Sequence, residues 1–403
     1  MTVIDLETTA MAVGGEAVAR DGDGRVVFVA GALPGERVRV EITDARARFA
    51  RGHVVDVVDP STDRVVPPCP NVAAGCGGCD WQHVAVPAQT RLRTEIVAGV
   101  LQRDGRIADP VVAAGLAIPA AGVRTTVRGT VDDEGRFAFR RRRSNDPIGI
   151  DRCTIAHPLV EEIITEGRFG ASKEVFIRVG ARTGDRMVVV SPRRGAGVRV
   201  PPGVTVVGTD QLKAGKRAWI SEEMCGLTWR VSAQSFLQAS PEGAEALVAE
   251  VQSFVDAWAP DHEHLIDLCA GIGLFAGTVR STSTDRTVVA VERNASAVAD
   301  ARRNLAGDHV RIIKVAMASW RPSPADVVVA DPARTGLGRE GVDAVARTGA
   351  ALCVLVSCDP GALGRDARLL TEAGYRHVGS RTLDLFGHTG QVEVVSGFVR
   401  GDV

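Results

Sequence analysis

Short runs of alternating apolar and polar residues fill the first part of the chain. The runs GEAVAR, RVVFVAGAL, ERVRVEITDA and FARGHVVDVV lie within residues 1–58, with Gly and Pro between them. Alternation with a period of two is typical of β-strands that bury one face. Several such strands at close spacing favour a small barrel. We therefore predict a β-barrel over residues 1–60.

The next part of the chain, residues 61–230, combines one helix with further strands. The Pro-rich VVPPCP marks a boundary, and apolar residues on one face predict a helix over 87–104. The segments FAFRRRR, VFIRVG, MVVVS, VTVVG and LTWRVSA then predict a β-rich central domain. We expect the helix over 87–104 to pack on the C-terminal domain, residues 231–403.

Helical and strand-like segments alternate over residues 231–403. AEALVAEVQSFVDAWA, ASAVADARRNLA and GVDAVARTGA have helical periodicity, whereas HLIDLC, ADVVVADP and ALCVLVSCDP are continuous apolar runs. Apolar strands alternating with helices predict a doubly wound, mainly parallel sheet that binds ligands at the carboxyl ends of its strands. The fold class is therefore α/β, with an N-terminal barrel and a β-rich central domain.

Composition and charge limit the cellular location and the kinds of partner that we expect. No apolar run approaches the ~18 residues of a membrane span, and the N-terminus carries acids where a secretory signal carries Lys or Arg, so we expect a cytoplasmic protein. The net charge of the 403-residue chain is −1, so any nucleic-acid surface must be local. Two groups of arginines could each form either a nucleic-acid surface or an ordinary solvated surface. These are Arg37, Arg39, Arg46, Arg48 and Arg51 in the predicted barrel and the run 140–143 in the central domain.

Four of the eight cysteines form a distinctive set. Cys69, Cys76 and Cys79 lie in CPNVAAGCGGC, and Cys153 follows in DRCTIAHP. Four thiolates suit zinc or an iron–sulfur cluster, and one close pair with two single cysteines favours iron–sulfur. A redox Cys-x-x-Cys pair and four unrelated buried thiols remain alternatives.

A glycine turn with neighbouring acids predicts a cofactor site. Gly271 and Gly273 follow the strand HLIDLC, and Glu292 ends the next strand. This spacing also fits a dinucleotide fingerprint. However, Asp267 precedes the glycines and Asp331 ends a later strand. Several acids would repel a pyrophosphate but suit the ribose and amino-acid parts of S-adenosylmethionine, which we favour over a nicotinamide cofactor.

One cysteine lies where a nucleophile would be useful. Cys358 follows the apolar strand of ALCVLVSCDP, whereas Cys353 falls within the strand and is expected in the core. A thiolate that adds to carbon 6 of uracil makes carbon 5 nucleophilic enough to accept a methyl group. A base must then remove the carbon-5 proton, and Glu393 is the candidate.

Six ordered motifs carry a resemblance that spans nearly the whole chain. They are QSFLQ (234–238), DLCAGIG (267–273), VER (291–293), DPARTG (331–336), SCDP (357–360) and DLFGHTGQVE (384–393). With them the chain resembles the bacterial S-adenosylmethionine-dependent RNA uridine-5 methyltransferases. Its CPN…CGGC segment with Cys153 resembles their iron–sulfur branch, and the N-terminal barrel resembles a TRAM RNA-binding domain.

The resemblance implies a role for each matching residue. Cys358 is the nucleophile and Glu393 the base, in a Rossmann-like class I methyltransferase domain. Phe236 is expected near the target base. The implied cofactor contacts are Gln238, Cys269 (through its backbone), Glu292 and Asp331. The implied ligands of a four-iron–four-sulfur cluster are Cys69, Cys76, Cys79 and Cys153.

The resemblance also implies an RNA partner, with 23S ribosomal RNA favoured over tRNA because the barrel and cysteine motif resemble the ribosomal branch. We expect a monomer with no obligate protein partner.

Several positions depart from the family pattern and keep alternatives open. Six residues instead of five separate Cys69 from Cys76. Leu274 and Ala316 replace asparagines, and Gln391 replaces a histidine near the base. An RNA-binding assembly factor with reduced or lost methyl transfer is therefore an alternative, and a nicotinamide-dependent oxidoreductase is another.

Overall fold

Residues 2–59 close into a five-stranded barrel. The computed structural model describes residues 2–307 and 310–401 of the chain. The barrel strands follow the order β1-β2-β3-β5-β4. They are β1 (Thr2–Met11), β2 (Ala17–Arg20), β3 (Val26–Ala30), β4 (Arg37–Ala45) and β5 (Phe49–Asp59). Every second residue of β3 and β4 points into a buried core, as Val27, Val29, Val38 and Val40 do. The barrel predicted from the period of two is therefore confirmed.

Four charged side chains of the barrel are paired with acids. Arg37 lies 2.8 Å from Asp59, Arg39 3.4 Å from Asp5 and Arg46 3.0 Å from Asp44. Arg51 pairs with Glu16. These ion pairs neutralise much of the positive charge that the arginines bring to the barrel surface.

The segment that follows the barrel contributes to a distant sheet. It holds α1 (Pro70–Ala73), α2 (Val86–Arg103) and β6 (Val112–Ala114). Val97 and Leu101 of α2 lie in the same core as residues of the C-terminal sheet. Strand β6 pairs with the edge of that sheet. The C-terminal layer therefore includes a helix and a strand from inside the range 61–230 assigned to the central domain.

The central domain is built on a six-stranded sheet of order β14-β12-β11-β7-β8-β9. A two-stranded sheet β10-β13 and a hairpin β15-β16 accompany it. Its elements are β7 (Thr126–Val131), β8 (Phe137–Arg140), β9 (Pro147–Gly149), α3 (Pro158–Glu166), β10 (Arg168–Phe169), β11 (Glu174–Val179), β12 (Arg186–Ser191), β13 (Val198–Arg199), β14 (Val204–Gly208), α4 (Thr209–Lys213), β15 (Trp219–Met224) and β16 (Leu227–Ser232).

The C-terminal domain is an eight-stranded sheet of order β19-β18-β17-β20-β21-β23-β22-β6. Its elements are α5 (Pro241–Trp258), β17 (His264–Leu268), α6 (Leu274–Thr278), β18 (Thr287–Glu292), α7 (Ala295–Asn304), β19 (Val310–Lys314), a 3₁₀ turn (Met317–Ser319), β20 (Val327–Ala330), α8 (Gly338–Thr348), β21 (Leu352–Ser357), α9 (Pro360–Glu372), β22 (Tyr375–Leu383) and β23 (Glu393–Arg400).

Five neighbouring strands of this sheet, β19 to β21, run parallel, and β23 is antiparallel to β21. Helices on both faces explain the continuous apolar runs of its strands. The predicted α/β class with an N-terminal barrel is confirmed. No helix among the described residues is long and apolar enough to cross a membrane.

Candidate active site and cysteine cavity

The glycine turn after β17 is a compact loop held by two carboxylates. Gly271 and Gly273 have positive φ angles of 56° and 91°, which glycine adopts without strain. Glu292, at the end of β18, accepts hydrogen bonds from the backbone N–H of Gly271 at 2.9 Å and of Asn294 at 2.6 Å. Asp267 accepts one from Ala276 at 2.8 Å. The loop is thus shaped in advance of any ligand.

Three acids converge at the carboxyl ends of β17, β18 and β20. Burial, together with the charges of Asp331 and Glu292, raises the pKa of Asp267 to about 7. Burial also raises the pKa of Asp331 to about 7. The Oδ1 atom of Asp267 is buried without a hydrogen-bond partner among the described residues. Such a pocket favours a ligand that brings positive charge or hydrogen-bond donors and disfavours phosphates.

Cys269 lies between Asp267 and the glycines, in a left-handed conformation with φ of 69°. Burial, together with the charges of Glu292 and Asp331, raises the pKa of its thiol to about 12. A thiol with this pKa is protonated at neutral pH.

The segment QSFLQ is fixed beside this pocket by a buried polar network. Asp300 of α7 accepts hydrogen bonds from the hydroxyls of Ser232 at 2.7 Å and Ser235 at 2.6 Å. Phe236 is 66% exposed, whereas Gln238 is buried. A large aromatic ring held out to solvent on a rigid segment offers a stacking surface for a base.

Cys358 and Glu393 meet at the ends of adjacent strands. The antiparallel register pairs Ser357 of β21 with Val394 of β23, so the next pair in that register is Cys358 opposite Glu393. Cys358 is half-buried, and Cys353 lies in the core as expected. Asp359, from the SCDP motif, caps α9 by accepting a hydrogen bond from the N–H of Ala362 at 2.8 Å, a role that asparagine also fills well.

The environment of this pair sets its protonation. Burial, together with the charges of Glu393 and Asp331, raises the pKa of the Cys358 thiol to about 11, and the charge of Arg334 opposes this rise. Glu393 is buried, and burial with the charge of Asp331 raises its pKa well above the usual range. A thiol, a carboxyl of raised pKa and the acidic pocket therefore occupy one edge of the sheet.

The positions that depart from the family pattern have other roles in the fold. Leu274 is buried at the start of α6, and Ala316 precedes the 3₁₀ turn. The side-chain oxygen of Gln391 accepts a hydrogen bond from Arg334 at 2.5 Å. Gln391 therefore ties the segment before Glu393 to the DPARTG motif.

The four cysteines of the predicted cluster line one cavity of about 380 Å³. Burial, together with the charges of Cys153, Cys76 and Cys69, raises the pKa of the Cys79 thiol to about 12. Within residues 2–307 and 310–401, no group of three or more His, Cys, Asp or Glu side chains is arranged to hold a metal ion. The thiols thus surround a shared space instead of meeting at one point.

The arginine run next to this cavity braces the cysteine loop. Arg141 donates to the carbonyl oxygen of Ala74 at 2.9 Å, and Arg142 donates to that of Cys79 at 3.1 Å. Arg143 pairs with Glu16 of the barrel. These exposed side chains lie in a turn and also hold protein groups, so part of their hydrogen-bonding capacity is used within the chain.

Sequence reasoning missed two side chains that shape the site, Arg93 and Arg334. Arg93 lies on the same face of α2 as Val97, one turn away, and is fully buried. A charged residue on an otherwise apolar helical face is the signal that marks it. Arg334 lies within the quoted motif DPARTG, but its charge beside Cys358 becomes evident only from the fold.

Two domain families match the chain. A TRAM domain matches residues 4–55, and a methyltransferase small domain matches residues 241–340. A protein of Streptomyces avermitilis named an RNA methyltransferase is 37% identical over 97% of this chain and 97% of its own length. Another of that name from Corynebacterium glutamicum is 32% identical over 99% of this chain and 97% of its own length.

A solved structure shares the fold over almost its full length. It is the Pyrococcus abyssi tRNA (uracil-54, C5)-methyltransferase in complex with S-adenosyl-L-homocysteine. The TM-score is 0.74 at 20% identity, over 98% of this chain and 99% of that one. The order of barrel, central domain and C-terminal sheet is therefore that of a known architecture.

Proposed function

The chain belongs to the RNA methyltransferases, and from this premise we propose that it transfers a methyl group from S-adenosylmethionine to carbon 5 of a uridine in RNA. The observation that carries the proposal is the pairing of Cys358 with Glu393 beside the acidic pocket. A methyltransferase that acts on an exocyclic nitrogen or a ribose hydroxyl has no use for a thiol opposite a buried carboxyl. Methylation of carbon 5 needs both groups.

The acidic pocket fits S-adenosylmethionine by its chemistry. We assign the cofactor contacts to Gln238, Glu292, Asp331 and the backbone of Cys269. The carboxylates would accept hydrogen bonds from ribose hydroxyls and from an ammonium group. The unpartnered Oδ1 atom of Asp267 leaves one more buried acceptor for a donor. When bound, S-adenosylmethionine supplies an electrophilic methyl group on a sulfonium.

The protein's own residues then carry out the covalent steps. The Cys358 thiolate adds to carbon 6 of a uracil flipped out of its stack, and the electron pair of the ring double bond makes carbon 5 nucleophilic. After carbon 5 has taken the methyl group, Glu393 removes the proton from carbon 5. The double bond re-forms, and Cys358 leaves as the thiolate. Phe236 would stack on a base at the entrance.

We extend the proposal to 23S ribosomal RNA as the substrate, in preference to tRNA. The support is the combination of a TRAM barrel with a cysteine loop braced against it through Arg143 and Glu16. Both elements enlarge the surface available to an RNA beyond the catalytic sheet.

A nucleoside map of RNA from a deletion strain tests the function. We expect mass spectrometry to show the loss of 5-methyluridine at one 23S position and its return with the wild-type gene but not with Cys358→Ala. Loss from tRNA instead would change the substrate and keep the chemistry. Unchanged 5-methyluridine at every site in 23S RNA and tRNA would contradict the function and favour an assembly factor.

We also propose that Cys69, Cys76, Cys79 and Cys153 hold a four-iron–four-sulfur cluster. Four thiols around one cavity of about 380 Å³ suit a polynuclear cluster better than a single ion. Such a cluster would fasten the cysteine loop, which otherwise has only the short helix α1 as regular structure.

Protein purified without oxygen is expected to be brown, with about four iron atoms per chain. Cys69→Ser should lower the iron content and the visible absorption, since it removes one ligand. Cys225→Ser is the matched control, because that half-buried thiol lies outside the cavity. A colourless protein, with or without zinc, would contradict the cluster.

A further inference from the structure

The segment that delivers Glu393 has no regular structure of its own. Strand β22 ends at Leu383 and β23 begins at Glu393, so residues 384–392 must be placed by contacts with other parts of the chain. The position of the first residue of β23 depends on where that segment is held.

Arg93 of α2 provides the densest set of these contacts. Its guanidinium donates hydrogen bonds to the carbonyl oxygens of Phe386 at 3.2 Å, Thr389 at 2.6 Å and Gln391 at 2.9 Å. It also lies 2.8 Å from the carboxylate of Asp384. One fully buried side chain therefore binds both ends of the segment.

The chemistry of this contact requires an arginine. A guanidinium has five N–H donors in a rigid planar fork and remains charged even when buried. Three carbonyls and a carboxylate in different directions can be reached by such a fork. The three donors of a lysine radiate from one nitrogen atom, so lysine can keep the charge but cannot bridge the same set.

Other contacts hold the same segment at single points. Gln89 accepts a hydrogen bond from the N–H of His388 at 2.9 Å, and Asp80 accepts one from the N–H of Gly390 at 3.0 Å. Gly390 also packs on the barrel, where a Cβ atom would come within 2.5 Å of the Cα of Gly15. None of these three reaches Gln391, two residues before Glu393. Arg334 holds the side chain of Gln391 at 2.5 Å, whereas Arg93 holds its backbone carbonyl.

We propose that Arg93 is a positioning residue that sets the location of Glu393 by fixing residues 384–391 against α2. The inference rests on the proposed function, in which Glu393 removes the proton from carbon 5. A loosened segment would leave addition by Cys358 intact, because β21 and α9 hold the thiol. It would slow the proton removal that releases the product.

The test compares Arg93→Lys with Glu393→Gln and with Arg91→Lys. Arg91 is the matched control, because it lies on the same helix but is exposed and pairs with Asp63. We expect Arg93→Lys to lower kcat at least tenfold, with the KM for S-adenosylmethionine within threefold of wild type. A denaturant-resistant protein–RNA adduct should accumulate, as in Glu393→Gln. Arg91→Lys should behave as wild type.

A second readout separates positioning from a general loss of structure. Amide hydrogen exchange in Arg93→Lys should speed up in residues 384–392 and stay unchanged in the central sheet. If Arg93→Lys does not fold, the double variant Arg93→Gln with Asp384→Asn carries the same test, because it removes both charges together and leaves neither buried alone.

The outcomes distinguish this inference from the function on which it rests. Wild-type kcat and adduct level in the folded Arg93 variant, with adduct in Glu393→Gln, would overturn the role of Arg93 and leave the function standing. A lowered kcat without adduct, where Glu393→Gln does accumulate it, would also overturn the role. No adduct in Glu393→Gln itself would instead contradict the proposed chemistry.

Discussion

Replacing Cys358 by alanine is expected to abolish methyl transfer to RNA. Loss of the nucleophile from other covalent enzymes lowers the rate by roughly 10⁴ or more, and the same scale applies here because carbon 5 of uracil is a poor nucleophile on its own. The measurement is transfer of a labelled methyl group from S-adenosylmethionine to RNA extracted from the deletion strain, which lacks the modification at the start.

The matched control for this experiment is Cys353→Ala. That thiol lies within β21, the strand that Cys358 follows, and is fully buried in the core, so its removal affects stability without touching the site. We expect the control to keep wild-type methylation at a temperature where it is folded. Methylation that survives in Cys358→Ala would remove the covalent step from the mechanism.

The surroundings of Cys358 disfavour its thiolate in the free protein. With a thiol pKa of about 11, only a small fraction is thiolate at neutral pH. Burial and the neighbouring carboxylates oppose ionisation, and Arg334 favours it. In the proposed reaction the thiol must therefore lose its proton before the bond to carbon 6 forms, and the charge of Arg334 favours the thiolate that results.

Much of the C-terminal fold could be predicted from sequence, because local patterns determine it. The apolar strands HLIDLC, ADVVVADP and ALCVLVSCDP and the helices between them are specified by residues close in the chain, and they lie where the periodicity puts them. Strand β6 could not be predicted. Its three residues, Val112–Ala114, carry no periodic signal and become a strand only by pairing with Ser380–Thr382.

In the candidate site, too, local features could be predicted from the sequence and long-range contacts could not. Cys358 follows its strand directly, so its place at the sheet edge is a local property. The partnership with Glu393 depends on an antiparallel register between β21 and β23. Arg93 contacts residues almost 300 positions away, and nothing local in the sequence specifies that contact. The sequence marks Arg93 only as a charge on an apolar helical face.

Replacing Glu393 by glutamine is expected to trap the reaction after methyl transfer. Burial and the charge of Asp331 raise the pKa of Glu393 well above its usual range, which makes its ionised form a stronger base toward carbon 5. Glutamine has the same shape but cannot accept the proton. The Cys358–carbon 6 bond should therefore persist, and turnover should fall by about 10² to 10⁴, the usual contribution of a general base.

The trapped species is visible as a protein–RNA adduct that survives denaturation and carries the labelled methyl group. Glu372→Gln is a suitable control, since that carboxylate is exposed and pairs with Arg368 on α9; it should give no adduct and full turnover. The double variant Cys358→Ala with Glu393→Gln should also give none, because the bond to carbon 6 cannot form. Wild-type turnover in Glu393→Gln would assign proton removal to another group, and Asp331 is the first candidate because its charge acts on Glu393 and its own carboxyl pKa is raised to about 7. Complete inactivity without an adduct would instead mean that Glu393 is needed before the methyl transfer. Because Glu393 lies opposite the thiol, it would then act on Cys358 before the bond to carbon 6 forms.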